Sequence, residues 1–325
     1  MDLMNKTEVI EFVLLGVTER AELRGLLIVV FLVLYLINLL GNGTIMLVIS
    51  GSSQLHTPMY FFLCNLSFVD MCLTSVTVPK MLSNLISGKK TISYTECITQ
   101  LYFFIAFADG ECVLLSIMAF DRYVAICNPL QYITIMNKKV CLSLSAAFFI
   151  ISILSSLLHT LLINRLSFCK SNQIEHFFCD FTPLLKLSCT DTSVNELVVF
   201  TAASLVIIVP FLITLLSYVF IISAILKIQS TGGRRKTFST CSSHLIVVII
   251  YYGTVIFMYF RPSSSYSLEK DKITSVVYNV VSPMLNPFIY SLRTREVKTA
   301  LKTVLQKIFP YNKRVEHLQR KRYPN

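Results

Sequence analysis

The stretch "MAFDRYVAIC", residues 118–127, places an acid, a base and a tyrosine near the end of a long apolar segment. Four mostly apolar residues follow the tyrosine. A water-soluble helix carries Asp121 and Arg122 on a wet face without cost. A helix in a membrane has to bring them to an interface or into the interior of a bundle. The surroundings of this stretch therefore decide the fold.

The composition indicates a membrane protein. The chain of 325 residues is 54% hydrophobic and only 14% charged, whereas an ordinary soluble domain is about 25% charged. Seven apolar runs are each long enough to cross a hydrocarbon layer of about 30 Å as a helix. They are residues 26–49, 59–82, 98–121, 140–163, 197–226, 238–260 and 273–292. The predicted fold is an all-α membrane protein built as one bundle of seven transmembrane helices.

The distribution of Lys and Arg predicts the orientation of the bundle. If the C terminus is inside, the cytoplasmic side has seventeen Lys and Arg against three acids, and the outer side has eleven against twelve. Cytoplasmic loops carry the excess of basic residues, so the N terminus is expected outside. The predicted organisation is an extracellular segment 1–25, a bundle 26–292 and a cytoplasmic tail 293–325. Asn5 begins an Asn-x-Thr glycosylation triplet on the outer side.

The ends of the chain suggest how it meets the membrane. The tail from residue 293 to 309 has apolar residues at helical spacing with lysines mostly between them, which predicts a short amphipathic helix in the interface plane. An ordinary helix against a soluble partner is the alternative. Basic charge beside a membrane meets anionic lipid first, so membrane lipids are expected partners and nucleic acid is not. No cleavable signal peptide is expected, because no basic start leads into a short apolar core.

Four of the ten cysteines lie on the predicted outer side, where disulfides can form. These are Cys97, Cys169, Cys179 and Cys189. Two disulfides would hold the longest outer loop over the helix ends, and the sequence permits three pairings. A zinc site formed by three of these cysteines with His176 is the alternative, although it lacks a close cysteine pair. The other six cysteines are expected to be reduced thiols.

Two acidic residues, Asp70 and Glu111, lie near the middle of the second and third predicted spans. Two carboxylates in a dry interior cannot both stay charged and unpaired, so a proton or a cation such as sodium must be shared between them. The residues expected to complete this polar network are Asn42, Ser282 and Asn286. A neutral, hydrogen-bonded packing network without an ion is the alternative. Asp109 lies about 200° around the helix from Glu111 and is expected to point elsewhere.

Several classes of membrane protein fit the sequence poorly. The spans show no internal duplication, which disfavours a transporter, and none is amphipathic enough to line a wet pore. No histidine-rich metal cluster or nucleophile elbow is present, so the chain is not expected to be an enzyme and no cofactor is predicted besides the sodium ion. Prolines in the second, fifth and seventh spans, and Gly253 in the sixth, predict bent helices. A signal-transducing bundle remains, with a small-solute transporter as the less favoured alternative.

Six stretches, in order along nearly the whole chain, resemble odorant receptors, a family of rhodopsin-like (class A) G-protein-coupled receptors. Besides "MAFDRYVAIC", they are "GN" at 41–42, "LHTPMY" at 55–60, "SY" at 217–218, "KTFSTCSSHL" at 236–245 and "PMLNPFIY" at 283–290. The chain has no tryptophan, so the fourth-span Trp and the sixth-span Trp-x-Pro of the broader class are missing. Tyr252 and Gly253 stand in place of the latter, a substitution that odorant receptors share.

The resemblance implies disulfides Cys97–Cys179 and Cys169–Cys189. It also implies a G-protein coupling and activation switch made of Asp121, Arg122, Tyr123, Tyr218, His244, Asn286, Pro287 and Tyr290. In this hypothesis Arg122 pairs with Asp121 at rest and turns toward a G protein when the sixth span swings outward. An arginine that only extends to the interface is the alternative.

The ligand-binding positions implied by the resemblance are mostly apolar. They are Phe104, Ile105, Ala108, Cys112, Ala202, Val206, Tyr252, Val255, Ile256, Tyr259, Val276 and Asn279. Phe104 stands where amine receptors have an aspartate, which disfavours a cationic ligand. The implied function is binding of a small, neutral, mainly hydrophobic volatile and activation of a stimulatory G protein, raising cyclic AMP in the cilia of olfactory sensory neurons. A similar receptor for a metabolite or lipid outside the nose is the alternative.

Overall fold

The computed structural model describes residues 10–18, 20–259, 268–291 and 295–308. It is mainly helical. Six helices are long and apolar enough to cross a membrane. They are α1 (Arg24–Gly51), α2 (Pro58–Ser87), α3 (Tyr94–Cys127), α5 (Lys138–Asn164), α7 (Ser193–Leu226) and α8 (Thr231–Tyr259). In α8 the part apolar enough to cross a membrane is Cys241–Met258. The helix itself begins at Thr231, before the start of the predicted span 238–260.

The seventh predicted span, 273–292, is helical but interrupted. It consists of α9 (Leu268–Val276), a π-helical turn (Val277–Val281) and α10 (Ser282–Ser291). The π turn precedes Pro283, which lacks an N–H group and whose ring would clash with the carbonyl group four residues earlier in a regular helix. Widening the helix to a π turn removes that clash. Together with the six long helices, these segments make the seven-helix bundle that the sequence predicts.

Two contacts between α1 and α10 depend on small or polar residues. A Cβ atom at Gly41 would lie 3.1 Å from the ring of Pro287, so glycine lets the two helices approach closely. Asn42 donates a hydrogen bond from Nδ2 to the carbonyl oxygen of Pro283 at 3.2 Å. This bond places the polar side of α1 against the polar network of the bundle interior.

The outer face contains a small sheet that the all-α prediction missed. The strand β1 (Glu11–Leu14) pairs antiparallel with β2 (Thr91–Ser93) and parallel with β3 (Gln173–Ile174). Phe12 and Leu14 are buried beneath it. Strands of two to four residues are too short to show a periodic pattern in the sequence. The sheet ties the N-terminal segment to two outer loops, and the second of these loops also contains the short helix α6 (Phe181–Leu187).

Two short helices lie on the cytoplasmic side. They are α4 (Tyr132–Ile135), between α3 and α5, and α11 (Arg295–Ile308), which corresponds to the predicted amphipathic tail helix. Val297 and Ala300 of α11 are buried in the main core, whereas Lys298 and Lys302 are exposed. The apolar side of α11 therefore packs on the bundle and its basic side faces outward.

The central helix α3 positions most of the candidate site. It begins with a capping box in which Ser93 and Glu96 satisfy each other's backbone N–H groups. Its buried residues recur on all sides of the helix, and it packs against α2, α5 and α7. By contrast, α1, α5 and α7 carry many exposed leucines and isoleucines, as expected for helices that face lipid.

Candidate functional site

The longest outer loop is held by two disulfides. Cys97, at the outer end of α3, is bonded to Cys179, and Cys169 is bonded to Cys189. These are the two pairings that the resemblance implies. Because disulfide cysteines cannot supply zinc-binding thiolates, the zinc alternative is wrong. His176, its proposed fourth ligand, instead lies with Nε2 3.1 Å from the hydroxyl oxygen of Ser275 on α9.

The disulfide to α3 brings two aromatic residues of this loop into the bundle. Phe177 and Phe178 are 2% and 0% exposed. The ring centroid of Phe178 lies 4.6 Å from that of Phe104, and Phe104 lies 6.0 Å from Tyr278. No role was predicted for Phe177 and Phe178 from the sequence. Their position next to Cys179 was the available signal, because that cysteine is anchored to α3.

Burial shifts the ionisation of two residues in the outer layer. It raises the pKa of Asp180 to about 6, aided by the carboxylate of Asp271 and opposed by a hydrogen bond from the backbone N–H of Phe181. Burial, together with the positive charge of Lys272, lowers the pKa of His176 to about 3. At neutral pH His176 is therefore uncharged, whereas the pKa of Asp180 lies close to the physiological range.

Three of the predicted ligand-binding residues, Cys112, Val206 and Tyr252, meet where α3, α7 and α8 come together. Cys112 donates from Sγ to the carbonyl oxygen of Val206 at 3.4 Å, and the Tyr252 hydroxyl donates to the carbonyl oxygen of Cys112 at 3.1 Å. Buried members of the set are Phe104, Cys112, Tyr252, Val255 and Asn279. Half-buried members are Ile105, Ala108, Ala202, Val206 and Val276. Ile256 is 38% exposed, and the side chain of Tyr259 lies outside the described part of the structure.

One polar member of the ligand set, Asn279, lies on the π turn and is fully buried. Its Oδ1 accepts a hydrogen bond from the Thr77 hydroxyl at 3.2 Å. Its Nδ2 is buried without a partner. A buried N–H donor without an acceptor raises the free energy of the folded protein. Asn279 therefore adds hydrogen-bonding capacity to an otherwise apolar set.

The predicted polar network is assembled around Asp70 and Glu111, which lie close enough to interact electrostatically. Asp70 accepts a hydrogen bond at Oδ2 from Asn286 Nδ2 at 2.8 Å. Its Oδ1 and both carboxylate oxygens of Glu111 are buried without partners. Ser282 is buried, and Asn42 reaches the network through Asn38, whose Oδ1 accepts from Asn42 Nδ2 at 2.7 Å. Three carboxylate oxygens of the Asp70–Glu111 pair thus lack donors among the described residues.

Asp109 points away from this network, as the helix geometry predicts. It lies beside Ser155 of α5, and its buried Oδ2 has no partner with good hydrogen-bond geometry. Two acids separated by one residue therefore face different neighbours.

At the cytoplasmic end of α3 the expected resting ion pair is not formed. Asp121 is buried and accepts a hydrogen bond from the Tyr132 hydroxyl of α4 at 2.8 Å. In the described part of the chain the ion pair within 4.0 Å is Lys80–Glu96, on the outer side. Consecutive helical residues point about 100° apart, so Asp121 faces α4 while Arg122 faces elsewhere. The predicted Asp121–Arg122 pair is thus not formed within 4.0 Å among the described residues, although the Arg122 guanidinium still acts electrostatically on the Asp121 carboxyl group.

The remaining predicted switch residues lie at two depths. Near the cytoplasmic face, the Tyr218 hydroxyl lies 2.8 Å from His244 Nδ1 and 3.2 Å from the carbonyl oxygen of Cys241, joining α7 to α8. Tyr123 packs its ring 5.7 Å from that of Phe220. Tyr290 is buried. Asn286 and Pro287 lie deeper in the bundle. Asn286 donates a hydrogen bond to Asp70, and the ring of Pro287 lies against Gly41. Asn5, the predicted glycosylation site, lies outside the described residues.

A family model described as olfactory receptor matches residues 31–308. The chain belongs to the olfactory receptor family. It is 51% identical to rat olfactory receptor 1f45, with 95% of this chain and 99% of the relative covered. It is 53% identical to mouse olfactory receptor 8U9, covering 93% and 96%, and 50% identical to human olfactory receptor 1C1, covering 94% and 98%.

Family membership confirms the resemblance that the six motifs carry. This olfactory receptor is a seven-helix, G-protein-coupled odorant receptor of the plasma membrane, and it is not an enzyme. The small-solute transporter does not fit this family.

Proposed function

We propose that this olfactory receptor binds a small, neutral, mainly hydrophobic volatile and activates a stimulatory G protein, raising cyclic AMP in the cilia of olfactory sensory neurons. The observation that supports this most directly is the meeting of α3, α7 and α8 at Cys112, Val206 and Tyr252. The ligand positions around this junction carry no charge.

The chemistry of these positions favours a neutral ligand. Phe104 lies among the rings of Phe178 and Tyr278, where an ammonium group would lose its hydration without gaining an ion pair. An apolar volatile gains about 25 cal/mol for each Å² of apolar surface it buries. Asn279 Nδ2 offers a hydrogen bond that fixes the orientation of a ligand with one polar group.

The proposed mechanism is a shift between two conformations. An odorant between α3 and α8 favours the state in which it is better accommodated, and it biases the equilibrium only by its differential affinity for the two states. In the active state the cytoplasmic end of α8 moves outward. The contact between Tyr218 and His244 then breaks, because the two residues lie on the helices that separate.

A chemically diverse odorant panel tests the proposal in cells that express the receptor with a cyclic AMP reporter. Once an agonist is found, Ala202→Phe is expected to raise the concentration for half-maximal response at least about tenfold, a loss of about 1.4 kcal/mol, because it narrows the proposed pocket. Leu205→Phe is the matched control, since Leu205 is 66% exposed on the same helix. A fully negative panel at verified surface expression, or equal effects of both variants, would count against the proposal.

We further propose that Asp70 and Glu111, with Ser282 and Asn286, share a sodium ion or a proton. The three carboxylate oxygens without donors support this proposal, since unpaired buried acceptors are otherwise costly. A sodium ion would supply positive charge to both carboxylates, and the side chains of Ser282 and Asn286 supply neutral oxygen atoms nearby.

Glu111→Gln is expected to weaken any sodium dependence of signalling, because it removes one of the two acids. The measurement is odorant-evoked cyclic AMP with sodium chloride or choline chloride outside the cells. Asp109→Asn is the matched control, because it removes a buried acid that faces α5 instead. If both variants retain the sodium response of the unmodified receptor, the network is only a packing element.

A further inference from the structure

A groove of ≈ 660 Å³ opens at the cytoplasmic ends of α1, α2 and α5. None of the proposed odorant-binding or switch residues lines it. Its floor is apolar and is formed mainly by Phe61, Cys64, Met136, Cys141 and Leu142. Its mouth is polar and is formed by His56, Thr57, Asn137 and Lys138.

The floor suits a hydrocarbon chain. Met136 and Cys141 are buried, and Phe61 and Cys64 are half-buried. Leu142 is 50% exposed at the open side of the groove. The spanning helices α2 and α5 begin here, so the groove lies at the boundary between the headgroups and the acyl chains of the cytoplasmic leaflet. Burying a chain against this floor removes apolar surface on both partners from water.

The mouth suits an anion because two helices begin there. Thr57 immediately precedes α2, and Asn137 immediately precedes α5, whose first residue is Lys138. The first turn of a helix has N–H groups without intrahelical acceptors and a positive partial charge. Thr57 makes no capping hydrogen bond, and Asn137 caps only the N–H of Val140. Pro58, the first residue of α2, has no N–H group, so the free N–H groups at the mouth come from the next residues of α2 and from the first turn of α5. The two helix starts add positive partial charge beside Lys138.

The mouth carries positive charge through Lys138, whereas His56, Thr57 and Asn137 are neutral. Lys138 is exposed, and no carboxylate occurs among the residues that line the groove. Two acids lie nearby. Asp121 of α3 is buried and accepts a hydrogen bond from Tyr132, and Glu296 of α11 acts electrostatically on Tyr60 in the first turn of α2 but does not line the groove. The groove therefore combines an apolar floor with a positive mouth at the depth of the lipid phosphates.

We propose that this groove binds one anionic phospholipid of the cytoplasmic leaflet. The phosphate group meets Lys138 and the first turns of α2 and α5, and one acyl chain lies over Phe61, Cys64 and Leu142. The cytoplasmic leaflet is the one rich in anionic lipid. A zwitterionic lipid brings a cationic headgroup to a mouth whose lining residues include Lys138 and no acid. This site does not depend on the odorant, so its test stands apart from the proposed function.

The test is native mass spectrometry of the full chain in detergent, titrated with phosphatidylserine or with phosphatidylcholine of the same acyl chains. One phosphatidylserine is expected to bind at least about tenfold more tightly than phosphatidylcholine. Lys138→Glu is expected to weaken phosphatidylserine binding by about tenfold, because a nearby lysine contributes a charge interaction of this order. Leu142→Trp is expected to weaken binding of both lipids, since the larger side chain fills the open side of the groove.

Lys227→Glu is the matched control, because Lys227 is exposed on the same side of the membrane after α7 and does not line the groove. A thermal unfolding measurement on each variant establishes that the protein is folded, and Lys138→Gln replaces Lys138→Glu if the latter is not. Equal binding of the two lipids overturns the proposal. Equal weakening by Lys138→Glu and Lys227→Glu also overturns it, because it would show general surface attraction.

Discussion

Arg122→Ala is expected to abolish odorant-evoked cyclic AMP while leaving most of the receptor at the cell surface. Arg122 is half-buried at the cytoplasmic end of α3, and it makes no ion pair within the described residues. Its neighbour Asp121 is held by Tyr132. Truncating Arg122 therefore breaks no ion pair within 4.0 Å among the described residues, and the loss should fall on the active state that contacts the G protein.

The measurement is cyclic AMP at saturating odorant, normalised to surface receptor counted with an antibody against an N-terminal tag. Tyr132→Phe is an informative companion, because it removes the hydroxyl that holds Asp121 at rest. Its expected effect is higher activity without odorant. If Arg122→Ala signals normally at equal surface expression, the G-protein contact assigned to "MAFDRYVAIC" is wrong.

The sequence was sufficient for the bundle because its determinants are local. A run such as 197–226 has to become a membrane-spanning helix, since hydrocarbon offers no partners to its backbone polar groups. The break in the seventh helix was harder to predict from the sequence. Pro283 predicted a bend, but whether the backbone kinks or forms a π turn depends on packing, for example on the bond from Asn42 to the carbonyl oxygen of Pro283.

Features that depend on contacts between distant residues were missed. The pairing of β1 with β2 and β3 joins three segments too short to carry a pattern. The hydrogen bond of Asp121 to Tyr132 replaced the expected pair with Arg122, because a side chain's direction on a helix is visible in a sequence but its neighbour on another element is not. The clustering of Asp70 with Glu111 and Asn286 was easier to predict from the sequence, because polar groups inside a membrane bundle have to pair with one another.

The outer loop has two disulfides with different structural roles. Cys97–Cys179 joins the loop to α3 across 82 residues, and Cys169–Cys189 closes a segment of 20 residues within the loop. Backbone hydrogen bonds also hold together the segment that Cys169–Cys189 closes. The backbone N–H of Cys189 donates to the carbonyl oxygen of Ser167 at 2.9 Å, and Phe168 forms a bridge with Ser188. The attachment to α3 holds Phe178 against Phe104 inside the bundle.

Cys97→Ala is therefore expected to remove most of the receptor from the cell surface, and Cys169→Ala to remove much less. Loss of a native disulfide costs about 2–5 kcal/mol, a large share of a typical stability of about 5–15 kcal/mol, and here it also releases Phe177 and Phe178 from the core. Surface and total receptor are measured by labelling intact and permeabilised cells. Cys97→Ala combined with Cys179→Ala should match either single variant, because both remove the same bond. If Cys97→Ala reaches the surface normally and keeps its odorant response, the loop is held over the bundle by packing alone.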